Sequence, residues 1–187
     1  MEKYLQQQKT DLIKVVLFGP ESTGKTSLAI ELAKHFKTVY VKEFAREFLE
    51  KKLAEQNKIC EIHDLIPIAI GQMRLENELI KKANEVLFCD TDLLTTATYS
   101  RLYFDNFCDP IINKYSKKNK YDLYLLLDID VPWVQDDLRD RPNERRLFYE
   151  NFKQTLINNH KPFKLISGNY EERLKKSISF VNEILVK

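Results

Sequence analysis

The chain has 187 residues, 43% hydrophobic and 31% charged, with a net charge of +2 from 30 Lys and Arg against 28 Asp and Glu. That composition excludes a disordered chain, a collagen-like repeat and a disulfide scaffold, and the charge balance argues against nucleic-acid binding by bulk charge. No apolar run approaches the ~20 residues that span a bilayer, and Met1 to Lys14 lacks a signal-peptide apolar stretch. One cytoplasmic domain over residues 1–187, with no membrane partner, is therefore expected.

In chain order, Ile13 to Phe18 is β-branched, ends at Gly19 and reads as a buried strand. Thr23 to Phe36 has helical spacing, and Thr38 to Val41 reads as a second short strand. Glu43 to Gln56 is helical, with Phe44, Phe48 and Leu49 on one face and charges on the other. Ile66 to Ala83 is a further helix, and Val86 to Cys89 a third strand ending at Asp90. Asp92 to Phe104 and Asp109 to Tyr115 read as helices, Leu123 to Leu127 as strand four. Pro142 to Asn159 is a helix with proline in its first turn. Phe163 to Ile166 is strand five, stopped by Ser167-Gly168, and Tyr170 to Val186 is a closing amphipathic helix. Five short apolar strands alternating with helices predict an α/β three-layer sandwich with a five-stranded parallel sheet. Ligands of such sheets bind outside the carboxyl ends of the strands.

Cys60, Cys89 and Cys108 are odd in number, far apart and without a CxxC, so neither a disulfide framework nor a zinc site is expected. His35, His63 and His160 are equally scattered. The chain has only four glycines, and two of them, Gly19 and Gly24, fall within six residues in the stretch Gly19-Pro20-Glu21-Ser22-Thr23-Gly24-Lys25-Thr26. This stretch fits G-x-x-x-x-G-K-[ST], the P-loop pattern, between a strand and a helix, so the expected three-layer sandwich is of the P-loop NTPase type with a small Arg-rich lid. Its backbone N–H groups form a nest for phosphates, Lys25 adds charge at the β- and γ-phosphates, and the Thr26 hydroxyl suits Mg²⁺. A side chain at Gly24 is expected to obstruct the wrap. Gly19 to Thr26 and Ser27 are thus the expected nucleotide-binding residues. The loop alone does not choose between kinase, hydrolase and switch.

The ends of the other strands carry polar residues. An apolar run ending in Asp90 has the Walker-B form that holds Mg²⁺ or its waters, although an aspartate here also suits a helix N-cap. Asp92 is either that cap or a partner of the acceptor substrate. Glu43, just after strand two, is the first candidate to orient or deprotonate an acceptor hydroxyl, with Asp92 second. Arg46 lies on the same helical face and suits substrate or γ-phosphate; an ordinary charged face is the plain alternative for both. Four of eight arginines lie between Arg139 and Arg146. That clustering suits a small lid at about 133–147 in which Arg139 and Arg141 stabilise transferring charge and Arg145 binds nucleotide. Trp133 is expected either to stack on a flat ring of the substrate or to pack internally.

The ordered set GPESTGKT, EFAREF, CDTDLL, and LLLDIDVPW with DDLRDRP resembles the nicotinamide riboside kinase domain of the bacterial NadR proteins, over about Lys14 to Val186. The resemblance implies ATP- and Mg²⁺-dependent phosphorylation of the 5′-hydroxyl of nicotinamide riboside to nicotinamide mononucleotide. It places the ATP site on Gly19 to Thr26, the strand-two Glu-x-x-Arg element on Glu43 and Arg46, the Asp-Thr-Asp element on Asp90, Thr91 and Asp92, and the lid arginines at Arg139 to Arg146. The NadR proteins also carry an adenylyltransferase domain, often with a DNA-binding segment, and neither activity is expected here. Lys42 stands where the family has an aromatic residue that stacks on the nicotinamide ring, a departure that bears on the substrate more than on the reaction class. ATP is preferred to GTP because no guanine-reading motif stands out. The alternatives are another nucleoside or small-metabolite kinase, and a regulatory ATP-binding switch.

Overall fold

The computed structural model describes residues 2–139 and 141–186. Its strands are β1 (Ile13–Phe18), β2 (Tyr40–Val41), β3 (Val86–Asp90), β4 (Leu123–Leu127) and β5 (Phe163–Ile166). They form one parallel sheet in the order β2-β3-β1-β4-β5. The helices are α1 (Lys25–His35), α2 (Phe44–Gln56), α3 (Leu65–Leu79), α4 (Leu93–Tyr103), α5 (Pro110–Lys118), α6 (Arg145–Asn158) and α7 (Tyr170–Leu185). The expected α/β architecture is the one observed. Among the described residues, no helix is long and apolar enough to cross a membrane.

The pleat explains why the central strands are apolar on both sides. Successive side chains point to opposite faces of a sheet. Val15, Leu17, Phe88 and Leu125 pack with Leu28, Leu32 and Val181, which belong to α1 and α7. Val16, Phe18, Cys89 and Tyr124 pack on the other face with Leu94, Phe152 and Leu156, from α4 and α6. Cys89 is a buried small hydrophobe there. A third cluster joins Leu65, Ala69 and Met73 of α3 to Leu93, Ala97, Ile112 and Tyr115.

Of the boundaries that differ from the sequence reading, three have a local cause. β2 begins at Tyr40, because the Thr38 hydroxyl already donates to the Val86 carbonyl at 2.7 Å and displaces ladder pairing. α3 ends at Leu79, where the chain turns. The Pro142 segment opens as a 3-10 turn, Pro142–Glu144, in which the Glu144 N–H bonds to Arg141 O, and α6 starts only at Arg145. One glycine governs helix approach. A Cβ at Gly71 would lie 2.1 Å from Cε1 of Phe44, so α2 can pack this close to α3 only without a side chain there.

Candidate active site

The loop from Gly19 to Gly24 joins β1 to α1 and owes its shape to glycine at both ends. Gly19 has φ +140°, and a Cβ there would stand 3.0 Å from the Leu127 carbonyl oxygen. Gly24 has φ +84°, with open space where its Cβ would point. Conformation, not the expected obstruction, demands glycine at this second position. Pro20 O accepts hydrogen bonds from Lys25 Nζ at 2.8 Å and Thr23 Oγ1 at 2.9 Å, which closes the loop on itself. The first turn of α1 then presents its N–H groups and the positive end of its dipole to the cavity.

That cavity holds about 700 Å³ and is lined at one end by Glu21 to Ser27 with Asp90. Its wall also includes Glu43, Arg46 and Arg139, together with Leu49, Ile68, Thr96 and Phe104 of α2, α3, α4 and the turn after α4. The Asp90 carboxylate is buried at the end of β3. Its Oδ2 accepts from Thr26 Oγ1 at 2.5 Å, while Oδ1 is buried with no hydrogen-bond partner. Burial raises its pKa against the opposing charge of Lys25. A buried, half-satisfied carboxylate beside a hydroxyl is a hard oxygen donor set of the kind that Mg²⁺ takes.

Glu43 is at the N-cap position of α2, but its side chain caps nothing. Gln72 does that work: its Oε1 accepts from the Phe44 N–H at 2.8 Å, and its Nε2 donates to the carbonyls of Lys42 and Thr91. Glu43 is thereby left to face the cavity. Burial, then the charge of Asp90, raises its pKa to about 7, opposed by Lys25, Arg46 and Arg139. Arg46 donates to Glu50 at 2.5 Å and reaches Asp136 at 2.9 Å. Asp136 also pairs with Arg139 at 3.1 Å, and Arg139 donates to Val134 O at 2.7 Å. The Ser22 hydroxyl accepts from the Val134 N–H at 2.8 Å, and Arg145 lies 3.4 Å from the Ser22 carbonyl. The 133–139 segment is thus tied both to the phosphate loop and to α2.

Two expectations fail on geometry. Asp92 is 1% exposed and points away from the cavity. Its Oδ1 caps α4 through the Thr95 N–H at 2.9 Å, and its Oδ2 accepts from the Tyr124 hydroxyl at 2.8 Å. Asp92 therefore takes the cap alternative and lies off the cavity, which leaves Glu43 as the one of the two candidate carboxylates on the cavity wall. Trp133 does not line the cavity either. Its indole N–H donates to Gln135, and the Arg145 guanidinium lies over its ring at 5.6 Å. Of the cluster arginines, Arg139 alone reaches the cavity wall. Arg141 pairs with Glu144 and lies over Tyr103, and Arg146 pairs with Glu150. Arg145 touches the loop's outside. Asp140 lies outside the described residues.

Two supporting residues had little sequence signal. Arg173 of α7, 4% exposed, donates to Thr23 O at 2.8 Å, Gly168 O at 2.8 Å, Asp128 O at 3.0 Å and the Asp130 carboxylate. It braces the phosphate loop from 150 residues away in sequence. Gln72 was more legible, because a polar residue on the apolar face of α3 at the spacing of Leu65, Ile68 and Ala69 asks for a buried partner. Among the described residues, Glu61, His63 and Asp64 could also gather round a cation, but Glu61 and Asp64 already hold the Lys52 ammonium.

A family model described as an AAA domain matches residues 14–173. The chain belongs to this AAA-domain family. Within it, a trifunctional NAD biosynthesis/regulator protein NadR of Salmonella typhimurium is 29% identical over 177 residues, covering 91% of this chain. The chain spans 42% of the length of that relative. A solved structure of NadR protein in complex with NR superposes with a TM-score of 0.77 at 23% identity, covering 92% of this AAA-domain chain and 51% of its own. A deoxyadenosine kinase from M. mycoides superposes with a TM-score of 0.62 at 16% identity, covering 92% and 100%. These two likenesses concern the fold.

Proposed function

We propose that this AAA-domain protein is an ATP-dependent kinase that phosphorylates the 5′-hydroxyl of nicotinamide riboside to give nicotinamide mononucleotide. The observation that carries the reading is the single cavity whose wall joins the phosphate loop to Glu43 and to side chains of α2, α3 and α4. A hydrolase or a switch needs the phosphate loop only; a phosphotransferase needs room for an acceptor as well. The NadR relative supports the choice of acceptor. We read residues 1–187 as one kinase domain with its lid at about 133–147.

In this reading the loop amides and Lys25 hold the β- and γ-phosphates, and Thr26 and Asp90 hold Mg²⁺. The ion supplies charge neutralisation on the phosphates when bound. Glu43 orients the acceptor hydroxyl and receives its proton as the oxygen attacks the γ-phosphorus and the bond to the ADP oxygen breaks. Arg139 offsets charge on the moving phosphoryl group from the lid side, with Arg46 keeping Asp136 and the lid in register. The protein's contribution is positioning and electrostatics.

A second reading is another nucleoside kinase. The full-length superposition on deoxyadenosine kinase favours it, as does Lys42, whose ammonium pairs with Glu47 where an aromatic ring would stack. ADP release measured over a panel of ribosides decides: the highest kcat/KM is expected with nicotinamide riboside. A higher value with a purine or pyrimidine nucleoside would replace the first reading by the second. ADP release independent of any acceptor would overturn both.

A further inference from the structure

Tyr99 of α4 lies one helical turn beyond Thr95 and Thr96, and with Tyr103 these residues form one wall of the cavity. Its ring is locked in place by Phe152 at 5.0 Å edge-on and by Tyr103 and Phe148 at 6.1 and 6.2 Å. Its hydroxyl is buried, yet it has no hydrogen-bond partner. An unpaired buried hydroxyl is destabilising, so a site that keeps one where phenylalanine would pack equally well has a use for it. Glu21, Glu43, Tyr103 and Arg139, which also line the cavity, act electrostatically on this hydroxyl. Burial holds the phenol neutral well above its usual range, so it is a donor at working pH.

We propose that the Tyr99 hydroxyl is a substrate-binding group that donates a hydrogen bond to a sugar oxygen of the riboside acceptor, holding it beside Glu43. The inference rests on the kinase reading above and deepens it. The ring sits in a rigid aromatic frame, so few side-chain rotamers are lost on binding. A ligand lacking the oxygen would leave the phenol unpaired, which makes the residue a source of discrimination as well as affinity.

The test is Tyr99→Phe, assayed by ADP release with nicotinamide riboside and ATP varied separately, together with a thermal scan of the ligand-free protein. The variant is expected to melt at or above the wild-type temperature, since it loses only an unsatisfied group. Its kcat/KM for the riboside should fall by roughly tenfold or more, while its KM for ATP stays within about twofold. An unchanged kcat/KM for the riboside, or a loss carried by the KM for ATP, would overturn the inference while leaving the kinase reading intact. A wild-type protein that phosphorylates no riboside would instead overturn that reading, and this inference with it.

Discussion

The Thr26 hydroxyl donates to Asp90 Oδ2 across 2.5 Å, joining the residue after the loop lysine to the end of β3. The relationship puts a hydroxyl and a carboxylate from distant parts of the chain on one point, with Asp90 Oδ1 buried and unpaired beside them. Asp90→Asn keeps the shape and removes the charge. The Mg²⁺ concentration needed for half-maximal ADP release should rise about tenfold or more in this variant. An unchanged Mg²⁺ dependence would remove Asp90 from the ion site.

Lys25 is buried and bonds to the Pro20 carbonyl. Lys25→Ala removes one of the two donors to the Pro20 carbonyl, which keeps its bond from Thr23 Oγ1, a small structural loss. Its effect on turnover should be large, about a hundredfold to a thousandfold, because a charge aimed at the transferring phosphates is removed. Thermal melting and ADP release on the same sample separate the two effects, and near-normal turnover would contradict the assigned role.

Arg173 makes four hydrogen-bonded contacts that join α7, the phosphate loop and the ends of β4 and β5. Arg173→Met leaves three carbonyls, Thr23 O, Asp128 O and Gly168 O, without this partner and the Asp130 carboxylate without its ion pair. We expect a loss of about 2–4 kcal/mol, visible in urea denaturation, with a raised KM for ATP. Arg173→Lys should restore little, because an ammonium cannot reproduce the fork.

Glu43 links the site to pH. Its folded pKa is raised to about 7 from the ordinary 4.5. A carboxyl raised in this way contributes stability below pH 4.5 that is lost as the pH climbs through 7, since the unfolded chain holds the ionised form more comfortably. Glu43→Gln removes that penalty. The ligand-free variant should be more stable than wild type at pH 8 by about 1–3 kcal/mol, with the advantage shrinking towards pH 5. Equal stability at pH 8 would contradict the burial argument. Turnover should nevertheless fall by about a hundredfold, because proton acceptance is lost.

The strands, the helices and the phosphate loop were legible because each is written locally. Apolar runs ended by Gly19, Asp90 and Gly168 mark β1, β3 and β5, and the glycine-lysine spacing marks the cradle whatever else the chain does. What the sequence by itself could not decide was the direction in which the residues beyond those runs point. Asp90 and Asp92 are two apart and would share a face of a regular strand. Thr91 between them has φ +73°, which turns the chain, so that Asp90 meets Thr26 and Asp92 turns to Tyr124 and the N-terminus of α4. Only tertiary structure decides this, because the choice depends on which hydrogen-bond partners the neighbouring elements present. For the same reason Arg173, Gln72 and Tyr99 acquire meaning only once the chain is folded: their partners, or the absence of one, are contributed by segments with no fixed spacing from them.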